Sequence, residues 1–437
     1  MIPLSLAEVA AVAPGKLEAA EGTDRVTGVT IDSRRVHAGD LFVAVGRGVE
    51  FTRDALARGA AAALIPEDAF RALAALARTV RERSSARAVG VTGSIAKTST
   101  KDILGALCRP HRRTVVAEGS QNNEIGLPLT LCRIEEDTEI VILEMGMRGL
   151  GQIAALCQTA RPDVGVITKI GPVHLELLGT IERVAEAKAE LVHALPPGGT
   201  AVVPAGDAHL EPYLNRDDVE LIRFGTGGDI QLKSFTPSRD ESDLEIEAFG
   251  RTLTLTFSFA SRYNATNALV ALAAYHALGL PLDEAYRGAA NVKLSRWRGE
   301  ETPLPGDGLL INDAYNANPL SMSAALEHLA ERAGPRRKVA VLGDMAELGP
   351  GGPAYHREVG AVAARMGITA LVAIGPLARG FLEGARGVPE TRWAPTVEEG
   401  LVALRSLLRP GDCVLVKGSR AMGLEAIADA LAVVPVA

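Results

Sequence analysis

The run Thr92-Gly93-Ser94-Ile95-Ala96-Lys97-Thr98-Ser99-Thr100 joins an apolar segment, Ala88–Val91, to a helical pattern that begins near Lys97. A glycine-containing turn between a strand and a helix N-terminus presents backbone N–H groups to a phosphate, and the helix dipole favours an anion there. In such a loop Gly93, Ser94, Ile95, Ala96 and Ser99 surround the phosphates. Lys97 bridges the β- and γ-oxygens, and the Thr98 hydroxyl is placed for Mg²⁺. The spacing is G-x-x-x-K-T, shorter than the common G-x-x-x-x-G-K-[ST]. By itself it also reads as a solvated lysine after an ordinary strand–helix turn.

Other candidates fall at the ends of apolar runs. Glu144 follows Ile140–Leu143, and His174 follows Val164–Thr168 in Gly171-Pro172-Val173-His174. Open α/β sheets bind ligands at the carboxyl edge of their strands, and a carboxylate there suits Mg²⁺. Lys188, in Ala185-Glu186-Ala187-Lys188-Ala189-Glu190, reads on pattern alone as a surface lysine of a Glu/Lys helix. Asp313, Tyr315 and Asn316 crowd together after Leu309–Ile311. An Asx turn accounts for Asn318-Pro319 but not for that crowding. Lys417-Gly418-Ser419-Arg420 ends a further apolar run and suits an anion or carboxylate.

Positioning these residues requires parallel strands alternating with helices. From Ala88 onward the apolar runs Ile140–Leu143, Val164–Thr168 and Ala201–Val203 are separated by helical patterns. Leu253–Phe259 alternates and predicts an antiparallel strand, and Ala265–Leu278 predicts a helix. Beyond Gly299, the runs Leu309–Ile311, Val339–Leu342, Ala370–Ile374 and Cys413–Val416 predict a second, smaller parallel sheet. Before Ser85, Val26–Ile31 and Asp40–Val45 predict two strands, and Arg81–Arg87 reads as a linker or helix end. The chain, 437 residues long, is therefore divided as 1–86, 87–298 and 299–437.

Composition narrows the function classes. A net charge of −7 without basic blocks, and few aromatics, argue against a nucleic-acid partner. No apolar stretch is long enough to span a membrane, and the N-terminus lacks a basic secretory leader, so a cytoplasmic protein is expected. Cys108, Cys132, Cys157 and Cys413 show no metal-ligand spacing and are expected to be reduced and buried.

Taken together these motifs resemble the Mur ligase family. The resemblance runs through Asp32-Ser33-Arg34, Gly39–Ala44, Lys97–Asp102, Asn122-Asn123-Glu124-Ile125-Gly126-Leu127-Pro128, Leu143–Met147, the His174 and Lys188 regions, and Arg262–Asn267. It continues through Asp313–Pro319, Leu342–Met345, Glu347-Leu348-Gly349 and Lys417–Arg420. The D-A-Y-N-A-N-P and L-G-D-M-x-E-L-G strings favour the branch that adds D-alanyl-D-alanine to UDP-N-acetylmuramoyl-tripeptide. The resemblance implies an α/β chain of three domains. These are a small α/β N-terminal domain for the UDP part, a central P-loop-type parallel-sheet ATPase domain, and a C-terminal Rossmann-like domain that closes on it. It implies ATP-dependent amide formation through an acyl phosphate, in peptidoglycan precursor synthesis, by a monomer.

The implied roles are these. Thr98 and Glu144 hold one Mg²⁺, and His174 with a carbamoylated Lys188 holds a second. Lys97, His174 and Lys188 carry catalysis; Asn267, Arg298 and Asp313 contact ATP. Ser33, Arg34, Asn122, Asn123, Tyr315, Asn316, Lys417 and Arg420 contact the substrates UDP-N-acetylmuramoyl-tripeptide and D-Ala-D-Ala. The chain departs from the family pattern at Ala96 (usually Gly), Ser120 and Lys169 (each usually Asn), Pro204 and Gly206, and in a shortened Gly46–Thr52 stretch. These departures leave open a related ligase with another acceptor, such as a folylpolyglutamate-synthase-like enzyme, or a non-catalytic nucleotide-binding relative.

Overall fold

Strands buried on both faces are apolar throughout, whereas strands with a wet face alternate. That difference organises the central sheet. A computed structural model describes residues 1–432. In it nine strands are ordered Arg251–Phe257, Ser242–Ala248, Ile230–Pro237, Glu220–Phe224, Thr200–Pro204, Val164–Ile167, Arg87–Thr92, Ile140–Glu144 and Thr114–Val116. The apolar strands pair in parallel, and Arg251–Phe257 runs antiparallel to Ser242–Ala248, as its alternation predicts. Register then assembles the chemistry. Val91 pairs with Glu144 and Thr92 with Ile167, so the phosphate-type loop, Glu144 and the segment leading to His174 leave one carboxyl edge side by side.

Helices cover this sheet. Lys97–Cys108 packs with Arg262–Ala277, whose residues from Ala268 to Tyr275 are all buried. A helix apolar all round is the signature of a position between layers.

The second sheet has six strands, ordered Glu300–Leu304, Gly308–Asn312, Cys413–Lys417, Lys338–Gly343, Ala370–Ile374 and Glu390–Ala394. Five are parallel. Glu300–Leu304 is an antiparallel edge. Pairing of Asn312 with Val416 and of Leu342 with Lys417 brings Asp313, Lys417 and Asp344 to one carboxyl edge.

At the N-terminus a four-stranded sheet runs Gly15–Ala19, Ala62–Pro66, Asp40–Val43, Gly28–Thr30. The apolar run 26–31 divides at Thr27: Arg25–Val26 pairs instead with Leu4–Ser5. The proposed 86/87 boundary falls between the helix Ala69–Arg83 and the strand Arg87–Thr92. The apolar core nevertheless crosses it. Leu73, Leu76 and Val80 share a cluster with Leu127, Leu131 and Leu156. Arg81, read as part of a linker, donates to the Ala160 carbonyl at 2.9 Å and to Asp163 at 3.2 Å. The proposed 298/299 boundary precedes the first strand of the second sheet. Residues 433–437, the end of the proposed third domain, lie outside the described residues.

All four cysteines are buried thiols, and burial pushes Cys132 and Cys157 up to about 12. Among the described residues no helix is long and apolar enough to cross a membrane.

Candidate active site

The carboxyl edges of the two large sheets face each other across a cavity of about 150 Å³. From the central side it is lined by Ser94, Ile95, Ala96, Lys97, Thr98, Ser99, Asn122, Glu144 and Asn267. Arg298, Asp313, Tyr315, Asn316 and Lys417 line it from the other.

The loop's geometry follows from its sequence. Gly93 has φ +149°, and a Cβ there would stand 1.8 Å from the Thr168 hydroxyl oxygen, so no other residue fits. That hydroxyl donates to the Ile95 carbonyl at 2.6 Å. The Ser94 hydroxyl donates to the Gly171 carbonyl and accepts from the Gly171 N–H, both at 3.0 Å. The loop is thus clamped to the neighbouring strand end. Lys97 Nζ donates to the Gly93 carbonyl at 2.8 Å. Burial pushes this ammonium below the usual lysine range; Glu144 opposes the shift and Arg298 adds to it.

Ala96 caps the helix Lys97–Cys108 with φ +68°. An L-residue in that conformation costs roughly 1–2 kcal/mol that glycine avoids. Ala96→Gly should therefore raise thermal stability and improve ATP use by at most about tenfold, since 1.4 kcal/mol is a factor of ten. Acceptor choice should stay unchanged. Melting curves and ATP saturation curves of the two forms check this. An unchanged melting point would deny the strain.

Around Thr98 the polar groups interlock. Its hydroxyl donates to Glu144 Oε2 at 2.8 Å and accepts from Arg298 Nη2 at 3.0 Å. Asn122 Nδ2 donates to Glu144 Oε1 at 2.8 Å. Ser120, at one of the departures from the family pattern, stands 3.2 Å from the Thr98 hydroxyl and accepts from Arg298 at 3.3 Å. The Arg298 guanidinium lies 3.9 Å from the Tyr315 ring centroid, and its Nε is buried without a partner. Lys417 Nζ, also buried, donates to Asp313 Oδ2 at 2.6 Å and to the Asn316 carbonyl at 2.9 Å. Burial pushes Lys417 below the usual lysine range, and Asp313 opposes that shift. Asn267 donates to Asn264 at 2.9 Å from the buried helix.

His174 and Lys188 do not line this cavity, but both are near enough to Lys97 for its charge to act on them. His174 lies at φ +54°, with Nδ1 against Glu347 of the C-terminal sheet. Burial pushes the imidazole below its usual range, Glu347 opposes this, and Lys188 and Lys97 are near enough to add to it. Lys188 is not on the surface as its helix pattern suggests; it is 2% exposed. Burial, followed by the Lys97 charge, pushes its ammonium well below the usual range, and among the described residues no carboxylate pairs with it.

The structure does not bring every candidate to the cavity. Arg34 is exposed and held by Asp32 at 2.9 and 2.8 Å; Ser33 is buried beside it in the N-terminal sheet's loop. Asn123 accepts from the N–H groups of Ile125 and Gly126, a cap for the following helix. Arg420 pairs with Glu425 at 2.6 Å and stacks 4.5 Å from the Trp297 ring. Residue-level reading assigned no role to Ser120, Tyr263, Asn318, Ser321 or Glu347. The first four line the cavity. The motif strings around Ser120, Tyr263, Asn318 and Glu347 carried the only signal for these residues, and Ser321 had none.

The family description "Mur ligase middle domain" matches residues 91–275, and "Mur ligase, glutamate ligase domain" matches residues 298–420. A UDP-N-acetylmuramoyl-tripeptide–D-alanyl-D-alanine ligase of Bacillus subtilis is 34% identical, covering 92% of each chain. Among solved structures, MurF of Acinetobacter baumannii superposes with a TM-score of 0.86 at 26% identity, over 98% of this chain and 99% of that one. MurF ligase of Thermotoga maritima, solved in complex with ADP, superposes with a TM-score of 0.80 at 30% identity, over 93% and 97% of the two chains.

Proposed function

The chain belongs to the Mur ligase family, and on that premise we propose that it joins D-alanyl-D-alanine to UDP-N-acetylmuramoyl-tripeptide with cleavage of ATP to ADP and phosphate. One observation carries the reading. Lys97, Thr98 and Glu144 from one sheet edge and Arg298, Asp313 and Lys417 from the other line a single cavity. The ADP found in the Thermotoga relative supports ATP as the co-substrate.

The chemistry must bring a carboxylate to a triphosphate, two anions that repel. The tripeptide's terminal carboxylate oxygen bonds to the γ-phosphorus as the bond to the ADP oxygen breaks, giving an acyl phosphate. The D-Ala-D-Ala amine then bonds to the acyl carbon, loses a proton, and phosphate departs. Lys97 supplies a fixed cation where phosphoryl charge develops, a favourable arrangement in a site of low dielectric. Arg298, at the junction just before the first strand of the C-terminal sheet, reaches Thr98 at 3.0 Å and stacks on Tyr315 of the C-terminal domain, so its charge is held where the two domains meet. That contact also screens the reacting groups from water.

The donor set fits Mg²⁺. Thr98 and the buried Glu144 carboxylate present hard oxygens at one point. The unpaired, buried Lys188 beside His174 fits a second position once carbamoylated, because a carbamate replaces the cation with an anionic oxygen pair. Bound there, Mg²⁺ would neutralise phosphate oxygens.

The test is phosphate release with ATP, UDP-N-acetylmuramoyl-tripeptide and a panel of acceptor amines. Stimulation by D-Ala-D-Ala is expected. Stimulation by glutamate on a folate substrate instead would point to a folylpolyglutamate-synthase-like enzyme. Silence with nucleotide still bound would mean a non-catalytic relative.

A further inference from the structure

Glu347 lies in the turn that follows the strand Lys338–Gly343 and reaches the central domain at three points. Its Oε2 faces His174 Nδ1. Its Oε1 lies 3.7 Å from Arg148 Nε. Its backbone carbonyl accepts from the Glu176 N–H at 3.3 Å. The two residues that meet are both left-handed, His174 at φ +54° and Glu347 at φ +63°. Such conformations persist for non-glycine residues only where surrounding structure holds them, and they cluster at functional sites. Here each places its side chain against the other across the domain boundary. Gly349, two residues on, packs so closely that a Cβ would stand 3.3 Å from the Glu176 Cα.

The Nδ1 that faces a carboxylate oxygen is placed to donate to it, and a neutral imidazole that donates from Nδ1 keeps its lone pair on Nε2. We propose that Glu347 is a positioning residue. It fixes His174 in the tautomer whose Nε2 can ligate a metal, and because it arrives from the C-terminal domain, the His174–Lys188 metal position is completed only by contact between the two domains. This rests on the second metal position proposed above. Outer hydrogen-bond partners of ligating histidines commonly set ring orientation and basicity, and their loss costs about 10–100-fold in metal affinity.

The test counts bound Mn²⁺ on the full chain, with bicarbonate and a non-hydrolysable ATP analogue present, by the electron paramagnetic resonance of free Mn²⁺. Wild type should bind two ions. Glu347→Ala should weaken one of them about 10–100-fold and spare the other. Glu347→Gln, whose amide oxygen can still accept from Nδ1, should stay near wild type. Arg148→Ala, which removes only the neighbouring ion pair, should do the same. The assignment is overturned if Glu347→Ala binds both ions normally, if Gln is as poor as Ala, or if Arg148→Ala loses as much. A wild type that turns over its substrates yet binds one ion overturns it too, while leaving the ligase reading intact. The ¹⁵N spectrum of histidine-labelled wild type needs no folded variant. An unprotonated Nε2 on His174 supports the proposal, and an unprotonated Nδ1 refutes it.

Discussion

Lys97→Ala should lower turnover by at least about a hundredfold, because a preorganised cation on a transferring phosphoryl group is worth several kcal/mol and 1.36 kcal/mol is tenfold in rate. The ammonium is already held in place: it stands half-buried at the head of the helix Lys97–Cys108 and is tied to the Gly93 carbonyl at 2.8 Å. Its reorganisation on meeting ATP is one short swing from that carbonyl to a phosphate. Removing it takes away transition-state charge stabilisation more than ground-state binding. The substitution should therefore lower kcat and kcat/KM together, with a smaller change in the KM for ATP. Phosphate release under saturating substrates measures it, and near-normal turnover would remove Lys97 from the site. Thr98 and Glu144 bond to each other independently of Lys97, so the variant should fold.

That the loop, Glu144 and Lys417 could be read in the sequence has a physical reason. Strands buried on both faces are unbroken apolar runs, and the first polar residue after each run is at the carboxyl edge. Glu390–Ala394 and Ile230–Pro237 escape such reading because they are mixed in polarity and partly exposed, the former an edge strand. Lys188 shows the opposite failure. Its helix carries Glu182, Glu186 and Glu190, the composition of a wet surface, yet Lys188 is on the face turned to the sheet with Val184 and Leu191. Only the motif resemblance singled it out. Ser120, Tyr263 and Glu347 depend on which loops fold over the cavity, a long-range fact without local periodicity. Arg34 illustrates a charged residue whose partner sits two positions away, Asp32, which local spacing alone could not separate from a ligand-binding arginine.

Lys188→Ala should abolish most turnover, and short carboxylic acids such as formate or acetate should restore part of it. An ammonium buried without a counter-charge is costly, and desolvation favours its neutral form; both the burial and the nearby Lys97 charge act in that direction here. A neutral amine is the form that reacts with carbon dioxide. Nitrogen bonds to the carbon, one N–H proton leaves to solvent, and the product is an anionic carbamate. This reverses the sign of the side chain where a cation would otherwise oppose Lys97 and any metal beside His174. Truncation to alanine removes both the stem and the anion, leaving space in which a small carboxylate can supply two oxygens. The same acids should do nothing for Lys97→Ala, since they replace an anion and not a cation. Wild type incubated with ¹³C-bicarbonate should show a carbamate carbon signal that Lys188→Ala lacks. Rescue without that signal would mean that the acids act elsewhere. A fully active Lys188→Ala would leave the buried lysine as a structural residue whose unpaired burial has no catalytic return.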